Sequence, residues 1–84
     1  MKIIFELGPK ETTGFIDITV GGAPESIAVG DMVHLPVMPE HLFATITRKV
    51  WIGGAERKLL YHGTIPLNLF EVLLGNKELQ KCDW

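Results

Sequence analysis

Short runs of β-branched and aromatic residues, each cut off by Gly or Pro after roughly ten positions, recur along most of this chain; that rhythm belongs to successive strands and turns. Its clearest instance is a pair of long runs, Leu42 to Ile52 and Glu56 to Ile65, joined through Gly53-Gly54 in the manner of a β-hairpin. A two-residue turn would set Trp51 opposite Glu56, and a four-residue loop would set it opposite Lys58. In either register, strict alternation groups Ile46, Val50 and Ile52 on one face and Thr45, Thr47, Lys49 and Trp51 on the other.

Three more strands are expected upstream. Lys2 to Leu7 ends at Gly8-Pro9, because Pro9 has no N–H to donate and disfavours helix at Gly8. Phe15 to Val20 alternates, with Ile16, Ile18 and Val20 as its buried side. Ile27 to Leu35 reads as a strand that changes direction at Gly30-Asp31, with Asp31 a turn residue and Val33 and Leu35 facing inward. Two prolines make Pro36 to Glu40 a loop. Downstream the character changes. Asn68 and Glu71 have the spacing of a capping box, Leu69, Phe70, Leu73 and Leu74 share a helical face, and Gly75-Asn76 supplies a left-handed stop. With Val72 added, this helix over Leu67 to Leu74 is apolar nearly all round and is expected to be buried between two surfaces. Lys77 to Trp84 is expected to fray or to extend it.

The expected fold is therefore mainly β, a small antiparallel β-barrel or strongly twisted sheet of SH3-like or OB-like size, with five to six strands and one short C-terminal helix. A chain of 84 residues supports one core, so residues 1–84 are read as a single domain.

Composition narrows the function classes. Eight basic and ten acidic residues give a net charge of −2, which supplies no overall field toward phosphate or anionic lipid. The one cysteine, Cys82, rules out an internal disulfide and fits a reducing compartment, so a cytoplasmic location is expected. The first apolar run is interrupted by Glu6, unlike a signal peptide, and no apolar stretch is long enough to span a membrane. His34, His41, His62 and Cys82 match no metal-ligand spacing, and neither Gly-Gly pair leads into a phosphate-binding helix start; no metal and no cofactor are expected. Ser26 lacks a nucleophile-elbow context and the carboxylates are scattered singly. Thr45, Thr47 and His62 are the nearest approach to a nucleophile and base, so an enzyme ranks third among the readings.

The leading expectation is a non-enzymatic protein–protein interaction or assembly module, itself oligomeric. A mean hydropathy of +0.22 is high for so small a chain, and Leu67, Phe70, Val72, Leu74 and Trp84 are the expected contact residues. The alternative is a nucleic-acid-binding module. Arg48, Lys49, Arg57 and Lys58 gather around Trp51 and Tyr61 on the hairpin, a combination similar to the way OB-like and cold-shock domains hold single strands.

Overall fold

The computed structural model describes residues 2–36 and 42–84, apart from the side chain of Leu79. The expected loop over Pro36 to Glu40 lies outside the described residues from Val37 onward, as does His41. The described residues form six strands: β1 (Lys2–Gly8), β2 (Ile16–Gly21), β3 (Met32–Leu35), β4 (Leu42–Ile52), β5 (Lys58–Thr64) and β6 (Lys81–Asp83). A helix α1 (Leu67–Leu74) and a 3-10 turn (Lys77–Gln80) connect β5 to β6. All six strands belong to one sheet in the order β3-β4-β5-β1-β2-β6, curled into a half-barrel with β3 and β6 as its edges.

The fold is mainly β with one short helix, as expected, but its sheet is mixed. The β1–β2 hairpin and the β3–β4–β5 meander meet through β1 and β5, which run parallel with Ile4 beside Leu60; β6 runs parallel to β2 with Cys82 beside Val20. Alternation puts Phe5 and Leu7 of β1, Ile16, Ile18 and Val20 of β2, Val33 and Leu35 of β3, and Leu42, Ala44 and Ile46 of β4 on the inner face. Leu59 and Tyr61 complete that face from β5, with the Phe5 and Tyr61 rings 5.0 Å apart. Burial of such side chains contributes about 1.5–3 kcal/mol each before the entropy of ordering is subtracted. Gly63 lies on the same face, and a Cβ there would sit 2.8 Å from Leu7 Cδ2, so its lack of a side chain leaves room for the Leu7 side chain over β5.

Several local expectations are corrected. Ile27 to Val29 is not strand: Ala28 N–H donates to Asp31 Oδ2 (2.9 Å) and Asp31 N–H to Ala28 O (3.1 Å), a self-contained turn that delays β3 to Met32. The helix spans Leu67–Leu74 as read, but its N-cap is Pro66 in extended conformation with no side-chain cap, so Asn68 lies within the first turn and forms no capping box. Proline is tolerated there because, at φ −60° and ψ 144°, it stands just outside the helix, where its missing N–H removes no intrahelical bond. At the other end Gly75 stays right-handed at φ −80°, and Asn76 instead caps the 3-10 turn by accepting from Glu78 N–H. The helix buries one face only, through Phe70 and Leu73, while Val72 and Leu74 face solvent. Lys77 to Trp84 neither frays nor prolongs the helix. Its last residues pair with the otherwise open edge of β2, and Trp84 N–H donates to Gly21 O at 2.8 Å.

Candidate interaction surface

One irregularity in β4 decides which side chains meet. Ile46 pairs with Gly63, but the next pairing is Arg48 with His62, so Thr47 is an extra residue in β4, a β-bulge. An added residue inverts the alternation. Beyond the bulge, Lys49 and Trp51 share the inner side with Tyr61 and Leu59, whereas Arg48, Val50 and Ile52 share the outer side with His62, Leu60 and Lys58. This overturns the expected grouping of Ile46 with Val50 and Ile52. Both expected turn registers are also replaced, since Ile52 pairs with Lys58 and the loop runs from Gly53 to Arg57. Gly54 holds φ +109° within it, a conformation that suits glycine.

The bulge separates the basic and aromatic cluster. The Lys49 ammonium donates to the backbone carbonyl of Glu25 and lies 5.4 Å from the Trp51 ring centroid and 5.6 Å from that of Tyr61. Tyr61 is 0% exposed and its hydroxyl donates to Pro24 O at 2.9 Å. Burial pushes its phenol above the usual tyrosine range, and the nearby Glu25 charge adds to the effect. Lys49 and Tyr61 thus latch the loop after β2 across the inner face. Lys58 Nζ stands 3.8 Å from Glu56 Oε2, Arg57 occupies the loop, and Arg48 is on the opposite side of the sheet. Trp51 remains 57% exposed, but Arg48, Lys49, Trp51, Arg57, Lys58 and Tyr61 do not make one platform, and Tyr61 has no surface on which a base could stack.

The outer side of the sheet carries a different pattern. Val50, Leu60 and Ile4 stand side by side across β4, β5 and β1, none of them part of the buried core cluster. Ile52 extends this strip at 42% exposure. The adjacent row is polar, with Arg48, His62, Glu6 and Asp17 in order and His62 Nδ1 3.2 Å from Glu6 Oε2. Beyond it, Met32 pairs with Thr45 and His34 with Phe43; Met32 is 69% exposed and Phe43 is also exposed. The strip was visible in the sequence as the consecutive large apolar residues Ile3-Ile4-Phe5 and Leu59-Leu60-Tyr61, because alternation must send one of each three to the outer face.

The other candidates are dispersed. The Thr47 hydroxyl donates to the backbone carbonyl of His62 at 3.3 Å, not to its ring, and Thr45 pairs with Thr64, so no hydroxyl is aligned with the imidazole. Among the expected contact residues, Phe70 is 7% exposed within the protein's own core and Leu67 is partly buried, leaving Val72, Leu74 and Trp84 exposed. Cys82 sits in β6, not at a mobile end; burial and then the Asp83 charge raise its thiol above the ordinary range, favouring the unreactive protonated form. Among the described residues, no three His, Cys, Asp or Glu side chains gather as a metal site, and no helix is long and apolar enough to cross a membrane. No protein-family model, curated protein or solved structure matches the chain.

Proposed function

We propose that this chain is a non-enzymatic protein-interaction module, an assembly component whose contact surface is the outer side of its sheet. The observation that carries this reading is the strip of Val50, Leu60, Ile4 and Ile52, with Met32 and Phe43 exposed on the same side. The core is complete without these residues, and a protein partner is the usual recipient of grouped apolar surface with a charged border. A cytoplasmic location accompanies this proposal, on the strength of the single cysteine. The test is a photoreactive residue at Leu60, irradiated in lysate of the source cells. A discrete protein adduct, whether of the chain with itself or with a second protein, that excess unlabelled chain suppresses is the expected result. Absence of any competed adduct would overturn the reading.

A nucleic-acid role keeps one supporting observation, the exposed Trp51 beside Arg57 around a hollow of about 380 Å³. Glu25 lines the same hollow and opposes a phosphate there. Oligonucleotide anisotropy at low salt separates the two roles: binding that weakens steeply with added salt supports the nucleic-acid role, and no binding removes it.

A further inference from the structure

β4 is far longer than the neighbour that covers it. Its partner β3 pairs only with Leu42 to Thr45, and Gly30 and Asp31 then satisfy both backbone groups of Ile46, each at 2.8 Å. From Thr47 to Ile52, among the described residues, the only strand beside β4 is β5, on its other edge. Lys2 N–H donates to Arg57 O and Ile65 N–H to Gly8 O, so odd-numbered residues of β5 bond β1, while Lys58, Leu60 and His62 face their partners Ile52, Val50 and Arg48. The N–H and C=O groups of Lys49 and Trp51 are left on the uncovered edge, a template for another strand.

What can pair there follows from the alternation set by the bulge, with Arg48, Val50 and Ile52 outward and Lys49 and Trp51 inward. Two copies of this edge can run antiparallel about a two-fold axis normal to the sheet, provided that opposed residues face the same side. Centring the axis on Lys49 opposes two ammonium groups, which is unfavourable. Centring it on Trp51 sets Lys49 against Gly53 and carries Arg48 past the end of the facing strand. Centring it on Val50 sets Val50 against its own copy, Arg48 against Ile52 of the second copy, and Lys49 against Trp51 of the second copy. In that register no like charges are opposed, and the apolar row Ile4–Leu60–Val50 continues across the axis into the same row of the other molecule. The edge is complementary to itself.

We propose that the protein self-associates through β4, as a two-fold dimer in which Val50 lies on the axis and the two sheets become one. This rests on the reading of the chain as a protein-interaction module and names its partner as a second copy. The bulge at Thr47 and the turn at Gly53 bound the pairable stretch and leave the Val50 register with the most pairs. An edge this short is a small interface, so weak, concentration-dependent association is expected.

The register is tested by cross-linking in a Cys82→Ser background. Opposed residues in an antiparallel pair have Cα atoms about 4.5–5.5 Å apart, within disulfide reach. Val50→Cys should oxidise rapidly to a covalent dimer. Arg48→Cys and Ile52→Cys should each remain monomeric alone and cross-link when mixed. Asp17→Cys, exposed on another strand, sets the rate of random collision. Sedimentation equilibrium on the unmodified chain should show a mass that rises toward the dimer with concentration, and Val50→Lys should weaken association about tenfold or more while its circular dichroism stays unchanged. A chain still monomeric at several hundred micromolar, or a Val50→Cys rate no faster than that of Asp17→Cys, overturns the dimer. Either result leaves a competed adduct from Leu60 to a different protein intact, so failure of the dimer and failure of the interaction reading are distinguishable.

Discussion

β2 and β4 each lie one strand in from an edge of the same sheet, yet their outer sides are finished differently. β2 is covered along Thr19 to Gly21 by β6, and Trp84 adds one more backbone bond to Gly21. β4 is covered from Leu42 to Ile46, and among the described residues no strand lies on that edge beyond, as none does beside Ile16 to Ile18 of β2. Neither outcome follows from the strand itself, since both are good strand sequences. The difference lies in the segments that could reach them: α1 and the 3-10 turn deliver the chain back to β2, whereas the turn at Ala28 to Asp31 starts β3 too late to follow β4 past its bulge. An edge is closed by what the chain brings to it.

Making β2 resemble β4 should have the largest effect on the protein. Ending the chain after Asn76 removes the 3-10 turn, β6 and the Gln80 amide bond to Leu73 O, and uncovers the β2 edge. We expect a loss of roughly 3 kcal/mol, from several hydrogen bonds at about 1 kcal/mol each plus lost packing at Cys82, together with increased aggregation. Urea denaturation checks this, and an unchanged midpoint would mean that β6 contributes nothing to closing the edge.

A second test acts on the loop that terminates β4. Gly54→Val forces a β-branched residue into φ +109°, where there is ample space but no backbone tolerance. The expected cost is about 1–2 kcal/mol in thermal or urea unfolding. Gly53 has no positive φ, so alanine there should cost less.

The latch beside the open edge should have a smaller effect and a distinctive pH signature. Tyr61→Phe removes the hydroxyl bond to Pro24 O and is expected to cost about 1 kcal/mol at neutral pH. Because burial raises the folded-state value of Tyr61 above its unfolded one, the folded chain holds more protons in that interval and stability falls as pH rises. Its contribution is complete below about pH 10 and is lost as the pH rises through the folded value. Urea midpoints measured from pH 8 to 11 should therefore fall less steeply in Tyr61→Phe than in the parent chain.

The smallest effect is expected at Cys82 on the covered side. Its raised thiol should alkylate more slowly than free cysteine at pH 8 while the chain is folded, and at the ordinary rate in urea. Equal rates would show that β6 is open in solution.

Legibility in the sequence divides along the same line. Ile16, Ile18 and Val20 alternate in sequence and are buried in the structure, and Leu69, Phe70, Leu73 and Leu74 marked out a helix whose limits match α1. These features depend on neighbours along the chain. The bulge left one faint trace, Arg48, which alone interrupts the apolar series Leu42, Ala44, Ile46, Val50 and Ile52 at positions of one parity. That hidden inversion dispersed the basic cluster and moved Val50 to the outer strip. β6 was silent, as Lys-Cys-Asp has little strand character and pairs only because β2 offers it an edge. The outer strip was half legible: Ile3-Ile4-Phe5 and Leu59-Leu60-Tyr61 announced apolar residues on both faces, but only the parallel pairing of β1 with β5 set Ile4 beside Leu60.

Periodicity and turn chemistry act over a few residues, and they made a mainly β chain, most of its strands, the extent of the helix and most of the core legible before folding. The tertiary structure alone decided which strands are parallel, where β4 changes face and which edge stays open. Those depend on pairings between residues far apart in the chain, and a single inserted residue in one strand is enough to exchange its two faces.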